Sequence, residues 1–314
     1  MSQQLKASRA TSGLTRRRFL AGAAASVSMF SNVRVSLGLV DGPLARLAGE
    51  VGITTSSFSG HLVASPKKPG QFDLLELPRI LRDELDMRVI DLNTSSLGHV
   101  DKPWLDQVRK VVDDAGCVLT NLKMNQGGLD MNSPDAAVRE KALAEYRRSI
   151  DAAAHLGIPY ARPLPLKQRP DMAIHVASYR ALADYGAERG VKLLVENYGW
   201  MESNPQSVPK LIKAIDRDVA ATPDTGNWVD NEVRYAGLKA AFPYAVSCDF
   251  KARTLGPNGE HDLYDLQRCF EVGWECGFRG PWCLEHAHRD RSQLFKELAL
   301  LRDRLRDWMK ASGE

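Results

Sequence analysis

From residue 51 onward, short runs of β-forming residues alternate with longer amphipathic segments, and this alternation constrains the fold more than any other feature of the sequence. The longer segments carry apolar residues at helical spacing. Counting the pairs gives eight βα units with no low-complexity linker between them. Eight such units in about 260 residues predict an α/β fold, a (β/α)8 TIM barrel that forms a single domain over residues 50–314.

The runs place the predicted elements as follows. Strands are expected at residues 51–55, 88–92, 117–122, 158–163, 191–196, 219–224, 245–249 and 281–285. Helices are expected at residues 72–85, 103–115, from a Ser133-Pro134 cap to 155, 171–189, 205–217, 231–242, 262–276 and 291–310. A doubly wound open sheet is the rival, but it would place a glycine-rich phosphate loop after the first strand. The segment 54–58, Thr-Thr-Ser-Ser-Phe, is not such a loop.

Each of the last four predicted strands closes on an acid: Glu196, Asp224, Asp249 and Glu285. In a barrel of parallel strands these four ends meet at one rim, which is where chemistry is done. Carboxylates gathered this closely need a compensating cation, and oxygen ligands suit Mg²⁺ or Mn²⁺. Any one of these acids alone is better explained by a helix cap or a surface ion pair. Four at consecutive strand ends favour a site for one divalent metal ion.

The first 49 residues form a separate leader segment. Thr15-Arg16-Arg17-Arg18-Phe19-Leu20 precedes a mildly apolar stretch, 21–30, that is too short to span a membrane. The motif resembles a twin-arginine signal, which implies recognition by the twin-arginine export machinery and a periplasmic location. A disordered basic tail is the alternative. No Ala-x-Ala cleavage site stands out after the apolar stretch, so an uncleaved segment that anchors the protein stays open.

The charge distribution argues against a nucleic-acid partner. Residues 1–49 hold seven basic residues and one acid, which leaves 35 basic and 38 acidic residues, a net charge of −3, in the body. A basic surface is the footprint of nucleic-acid binding, and this body lacks one. Five cysteines without a CxxC pair predict neither a disulfide framework nor a structural zinc site.

The motifs at the last four strand ends resemble one protein family. Val-Glu-Asn at 195–197, Pro-Asp-Thr-Gly-Asn-Trp at 223–228, Asp-Phe-Lys at 249–251 and Leu-Glu-His at 284–286 are similar to the xylose-isomerase-like superfamily of sugar and sugar-phosphate isomerases and epimerases. The resemblance implies that Glu196, Asp224, Asp249 and Glu285 bind one metal ion. It also implies that Glu196 and Glu285 act as base and acid on opposite faces of the substrate.

The chain departs from the family pattern at two positions. Asp249 stands where the family usually has His, which favours Mg²⁺ or Mn²⁺ over zinc. Asn227 stands where a second His is common. The resemblance implies substrate-binding roles for further residues in these loops, with the tryptophans as apolar walls and the histidines as a possible replacement for the missing one: Glu202, Asn227, Lys251, Arg253, His286, His288, Trp200 and Trp228.

The function expected from this resemblance is a metal-dependent isomerase or epimerase. It would abstract the proton next to a carbonyl, through an enediolate, on a free sugar or keto-sugar. Two alternatives stay open: a lyase or hydratase acting on an oxidised sugar or glycoside with the same site, and a sugar-binding barrel without turnover. An endonuclease-like role is disfavoured by the negative body.

Overall fold

The computed structural model describes residues 44–65, 67–164 and 166–313. The predicted export motif around Arg16 and Arg17 lies outside them. Leu44 and Leu47 are buried, so residues ahead of position 50 already pack with the barrel. No helix in the described ranges is both long enough and apolar enough to cross a membrane.

Eight parallel strands form one sheet in the order β6-β5-β4-β3-β2-β1-β8-β7. The strands are β1 (Val51–Thr54), β2 (Val89–Asn93), β3 (Val118–Met124), β4 (Tyr160–Pro163), β5 (Lys192–Val195), β6 (Ala220–Ala221), β7 (Cys248–Lys251) and β8 (Trp282–Glu285). The helices are α1 (Leu77–Leu85), α2 (Thr94–Leu97), α3 (Lys102–Asp114), α4 (Ala136–His155), α5 (Met172–Ala187), α6 (Ser207–Ile215), α7 (Asn231–Ala241), α8 (Leu266–Glu275) and α9 (Arg291–Ser312). This alternation confirms the predicted TIM-barrel fold.

The seam between β6 and β7 is the irregular part of the barrel. β6 has only two residues, and β7 begins at Cys248 rather than at residue 245 as predicted. The seam is held by isolated bridges, Ala221 with Ala245 and Asp224 with Asp249. The Asp249 N–H donates to the Pro223 carbonyl at 2.9 Å. Asp224 and Asp249 therefore lie opposite each other where the barrel comes together.

Aspartates begin most of the longer helices. Six of them precede the first helical residue, and each side chain accepts a hydrogen bond from a backbone N–H of the first turn: Asp101, Asp135, Asp171, Asp230, Asp265 and Asp290. A carboxylate there satisfies an N–H that has no partner within the helix. The predicted cap of α4 at Ser133 was wrong, because the helix begins only at Ala136 and the side chain of Asp135 accepts from the amides of Ala137 and Val138.

The inside of the barrel changes character along its length. A small apolar cluster, separate from the main core between sheet and helices, joins Leu44 and Leu47 to Val89, Tyr160, Leu194, Ala220 and Cys283. Most of these residues come from the amino-terminal halves of their strands. Towards the carboxyl ends the buried residues become polar and charged, beginning with Asp91 and Asn93 on β2. The barrel interior therefore has an apolar layer near the amino-terminal ends of the strands and a charged layer near their carboxyl ends. The five cysteines are all free.

Candidate active site

Three of the four predicted metal-binding acids lie together at the carboxyl end of the barrel. Glu196 directly follows β5, Asp224 lies just beyond β6, and Asp249 is inside β7. Each is at most 5% exposed. One oxygen from each of the three side chains lies within 4.8 Å of the others. We call Glu196, Asp224 and Asp249 the acidic triad.

Glu285, the last residue of β8, joins the triad through a lysine. Lys251 Nζ lies 2.7 Å from Asp224 Oδ2 and 3.2 Å from Glu285 Oε1. The Glu285 side chain is 27% exposed, whereas that of Asp224 is fully buried. Glu285 therefore stands at the open side of the cluster. Gly226 makes room for the lysine, since a Cβ there would lie 2.6 Å from Lys251 Cδ.

Two further cations, which sequence reasoning missed, complete the cluster. Arg162 on β4 places its Nε 2.7 Å from Glu196 Oε2, and Lys123 on β3 forms an ion pair with Asp249. Both basic side chains are almost fully buried. The sequence held one signal for them, a lone charge within a short run of strand-forming residues. Each acid of the triad thus has its own basic partner.

Burial moves the pKa values of the acids apart. It raises the pKa of Glu196 to about 7 and that of Asp224 to about 6, against the opposing charges of Arg162 and Lys251. Burial also raises the pKa of Asp91, which lies below the triad. At Glu285 the nearby ammonium groups of Lys251 and Lys123 outweigh burial, and its pKa is lowered. Lys123 and Lys251 have raised pKa values and stay protonated, because the surrounding carboxylates outweigh their own burial.

The cluster fits a divalent cation on two grounds. With every group ionised its net charge is −2, because five carboxylates face three basic groups: Asp91, Glu196, Asp224, Asp249 and Glu285 against Lys123, Arg162 and Lys251. In addition, Asp249 Oδ2 is buried and accepts no hydrogen bond from any group in the described ranges. A buried carboxylate oxygen without a hydrogen-bond donor is suited to bind a cation.

Two asparagines fix the geometry of the acids. Asn197 grips the backbone of Asp224 at both ends, since its Oδ1 accepts from Asp224 N at 2.8 Å and its Nδ2 donates to Asp224 O at 2.9 Å. Asn227 donates to Glu196 Oε1 at 3.2 Å and accepts from Lys251 Nζ at 3.1 Å. Asn227, expected to contact substrate, therefore uses both ends of its carboxamide inside the cluster.

Two residues expected to contact substrate turn away from the cluster. Trp228 is 5% exposed, packs its ring on Gly237 of α7 and donates from Nε1 to the Asp224 carbonyl. His286 is 2% exposed, and its ring nitrogens bond to the Ala252 carbonyl and to Glu297 of α9. Both side chains are bonded to buried partners, and their contact with substrate stays a prediction.

The other expected substrate contacts lie in the loops around the rim. Glu202 is half-buried and accepts a hydrogen bond from Gly199 N, and Trp200 is half-buried with its ring edge against His175. Arg253 is exposed in the loop after β7. His288 is exposed, and its Nδ1 accepts from Asp290 N at the start of α9. Their contact with substrate stays a prediction.

Proteins of known structure share this fold. A xylose isomerase-like TIM barrel protein from Mycobacterium smegmatis, in complex with magnesium, has a TM-score of 0.61 and 19% identity over 84% of this chain and 97% of its own. D-psicose 3-epimerase from Clostridium cellulolyticum H10, with D-tagatose, has a TM-score of 0.65 and 16% identity over 82% of this chain and 98% of its own. The probable 3-DHS dehydratase from Bacillus anthracis has a TM-score of 0.61 and 13% identity over 80% and 98%.

At these identities the structural likeness shows the fold alone, and no protein with a curated description matches the chain. The sequence itself carries the assignment further. The profile of the family described as "Xylose isomerase-like TIM barrel" matches residues 84–311, which is most of the chain and includes all of the acidic triad and Glu285. The chain belongs to the xylose isomerase-like TIM-barrel family.

Proposed function

We propose that this protein is a divalent-metal-dependent isomerase or epimerase that moves a proton next to the carbonyl of a free sugar or keto-sugar. The observation that carries the proposal is the gathering of the acidic triad and Glu285 at one rim of the barrel, with a buried and a partly exposed glutamate among them. Glu196 is buried and its pKa is raised to about 7, while the pKa of Glu285 is lowered. Two acids whose environments separate their pKa values are suited to opposite roles in proton transfer.

Each glutamate takes one step of the transfer. Ionised Glu285 removes the proton from the carbon next to the carbonyl, and the electron pair of that C–H bond enters an enediolate. Protonated Glu196 returns a proton to the opposite face of the same carbon for epimerisation. For isomerisation the proton goes to the neighbouring carbon, and the hydroxyl proton of the enediolate moves to the former carbonyl oxygen. In the reverse direction the two exchange roles. A general acid with a pKa near the working pH is the efficient choice.

The acidic triad and Glu285 are the residues that would hold the metal ion. When bound, a divalent cation supplies Lewis-acid stabilisation to the negative charge that develops on the substrate oxygens. Lys251, whose side chain is 14% exposed, stands beside Glu285 at the open side. Its ammonium adds a fixed positive charge there. Asn227 holds Glu196 in place through Oε1.

The preference for unphosphorylated sugars rests on Arg16 and Arg17 alone. We propose export to the periplasm, where phosphorylated sugars are scarce. Cell fractionation, with mass spectrometry of the mature N-terminus, tests this. Native protein found in the cytosol with residues 1–49 intact would contradict it, and substitution of Arg16 and Arg17 by Lys should keep an exported protein inside.

Proton exchange tests the chemistry. The protein is stripped with a chelator, reloaded with Mg²⁺ or Mn²⁺, and incubated in D₂O with a panel of ketopentoses and ketohexoses. The proposal expects deuterium at the carbon next to the carbonyl, and a new sugar, only after reloading. Absence of exchange with every sugar, by a protein that binds the metal, would leave a sugar-binding barrel without turnover.

A lyase is the second candidate. The same proton abstraction leads to elimination when the β-carbon carries a leaving group, and a neighbour of similar fold from Bacillus anthracis is described as a probable dehydratase. Oxidised sugars and glycosides therefore belong in the panel. Formation of an unsaturated product, detected by its ultraviolet absorbance, would select the lyase over the isomerase.

A further inference from the structure

Lys123 is a buried charge to which the proposed chemistry assigns no role. It is the sixth residue of β3 and only 1% exposed. Its ammonium contacts Asp249 and donates to Thr54 Oγ1 at 3.1 Å. Thr54 in turn donates to Asn93 Oδ1, which leaves its oxygen free to accept from the lysine. The ammonium is thus enclosed by protein.

The two carboxylate oxygens of Asp249 have different surroundings. Its Oδ1 is bound by Lys123, whereas its Oδ2 accepts no hydrogen bond from the described part of the chain. The backbone of Asp249 is fixed on both sides, with its N–H on the Pro223 carbonyl and its carbonyl accepting from Thr225 N at 3.0 Å. Oδ1 therefore pairs with the ammonium of Lys123, and Oδ2 is available to bind a metal ion.

We propose that Lys123 and Asp249 act together as one metal ligand of zero net charge, and that Lys123 thereby sets the affinity of the site for its cation. The proposal rests on the metal site of the proposed function. With Lys123 the cluster carries −2, which one divalent ion balances. Without it the cluster would carry −3 and attract a divalent ion more strongly, but the metal-free barrel would bury an uncompensated carboxylate. Lys123 lowers metal affinity and stabilises the unloaded fold.

Lys251 is not placed to set the metal affinity in this way. Its ammonium lies between Asp224 and Glu285 at the open side of the cluster, where a substrate can reach it. Lys123 has no such access, because Thr54 and Asp249 close over its ammonium. The lysine that tunes the metal is thereby separate from the lysine placed to meet the substrate.

The test uses four full-length proteins: wild type, Lys123→Met, Asp249→Asn and the double variant. Each is stripped with a chelator, and Mn²⁺ binding is measured by the electron paramagnetic resonance signal of free Mn²⁺. Removing one charge a few ångströms from a buried ion changes its affinity by about tenfold or more. We expect Lys123→Met to bind Mn²⁺ at least about tenfold more tightly than wild type, Asp249→Asn at least about tenfold more weakly, and the double variant within about threefold of wild type.

Thermal unfolding gives an independent readout. Metal-free Lys123→Met should melt below wild type, and Mn²⁺ should raise its melting temperature by more than it raises that of wild type. Lys210→Met is the matched control, because it removes the same charge from an exposed position on α6 and should leave Mn²⁺ binding unchanged. If Lys123→Met does not fold without metal, the comparison of Asp249→Asn with the double variant replaces it, and adding Lys123→Met must strengthen binding there.

Two outcomes would overturn the inference. One is Mn²⁺ affinity in folded Lys123→Met that equals or falls below that of wild type, as expected if the lysine only supports the fold. The other is absence of Mn²⁺ binding by all four proteins. Failure of the proposed function looks different, since Mn²⁺ would bind in the expected order while no sugar exchanged its proton.

Discussion

At the scale of single residues, Glu196 and Glu285 should be required for proton exchange and dispensable for the fold. Glutamine keeps the size of each side chain but can neither take up nor release the proton, so Glu196→Gln and Glu285→Gln should each lower exchange by about 100-fold or more. The assay is deuterium incorporation measured by NMR, with circular dichroism to verify folding. Glu232→Gln, on the exposed face of α7, is the control. Wild-type exchange by either site variant would remove that residue from the proposed mechanism.

Glu196 and Asp224 should also make the metal-free protein less stable as the pH rises. Their folded pKa values, about 7 and about 6, lie above the ordinary values of 4.5 and 3.8. The folded state then holds protons that the unfolded state has lost, so stability present at about pH 4 is lost as the pH rises through the folded pKa values. Burial lowers the pKa of His175 to about 4, which acts with the opposite sign in the same window, so the effect is measured against Glu196→Gln. In chelator, the melting temperature of wild type relative to that of Glu196→Gln should fall between about pH 5 and 7.

Two controls separate this effect from other titrations. Glu196→Gln should flatten the profile, and Mn²⁺ at pH 7 should restore the lost stability, because the cation replaces the protons. The lowered pKa of Glu285 acts with the opposite sign, but below its ordinary value of 4.5 and so outside this window. A difference in melting temperature between wild type and Glu196→Gln that stays constant from pH 5 to 7 would contradict the pKa assignment of Glu196.

The acids of the site could be identified from the sequence, and their partners could not. An acid closing an apolar run is visible in one dimension, as at Glu196. The pairing of Lys123 with Asp249 joins residues 126 positions apart and depends on which strands face across the barrel. Trp228 and His286 are the converse case. Loop aromatics and histidines beside a site look like substrate contacts until the fold supplies buried partners for them.

At the scale of elements, α4 provides a test of the capping rule. Asp135 accepts hydrogen bonds from Ala137 N and Val138 N, so Asp135→Ala should lower the free energy of unfolding by about 1 kcal/mol. Urea denaturation measures this change, and Mn²⁺ affinity should be unaffected. Ser133→Ala is the matched control and should cost less, because the Ser133 hydroxyl accepts a single bond, from Asp135 N, which precedes the helix. If Ser133→Ala lowers the free energy of unfolding more than Asp135→Ala does, Ser133 is the cap, as the sequence indicated.

The ends of the strands are harder to predict from the sequence than their existence. The run 219–224 predicts a strand of ordinary length, but only Ala220 and Ala221 pair regularly. Proline at position 223 has no N–H to donate, and the chain there leaves the ladder and rejoins it through the bridge of Asp224 with Asp249. Hydrophobic runs specify that a strand exists, whereas its ends depend on hydrogen bonds that the sequence does not display.

At the scale of the whole molecule, the fold was the most predictable feature because it is repeated. Eight βα units give the same signal eight times, so errors of a few residues at single boundaries do not change the architecture. The active site has no such redundancy. Each of its groups occurs once, and its electrostatics depend on all of them together, which is why the acids alone led to an incomplete description of its charge.

The whole barrel should therefore respond to metal at this one rim. The acidic triad comes from β5, β7 and the segment after β6, and two of its members form the bridge across the weakest seam. A ligand at 100 times its Kd stabilises by about 2.7 kcal/mol, which for a domain of this size raises Tm by about 5–10 °C. Differential scanning fluorimetry with chelator, then with Mn²⁺, measures the shift. Asp224→Asn should lose most of it, because the variant lacks a ligand in the middle of the seam. An unchanged Tm in wild type would show that Mn²⁺ does not bind at this rim.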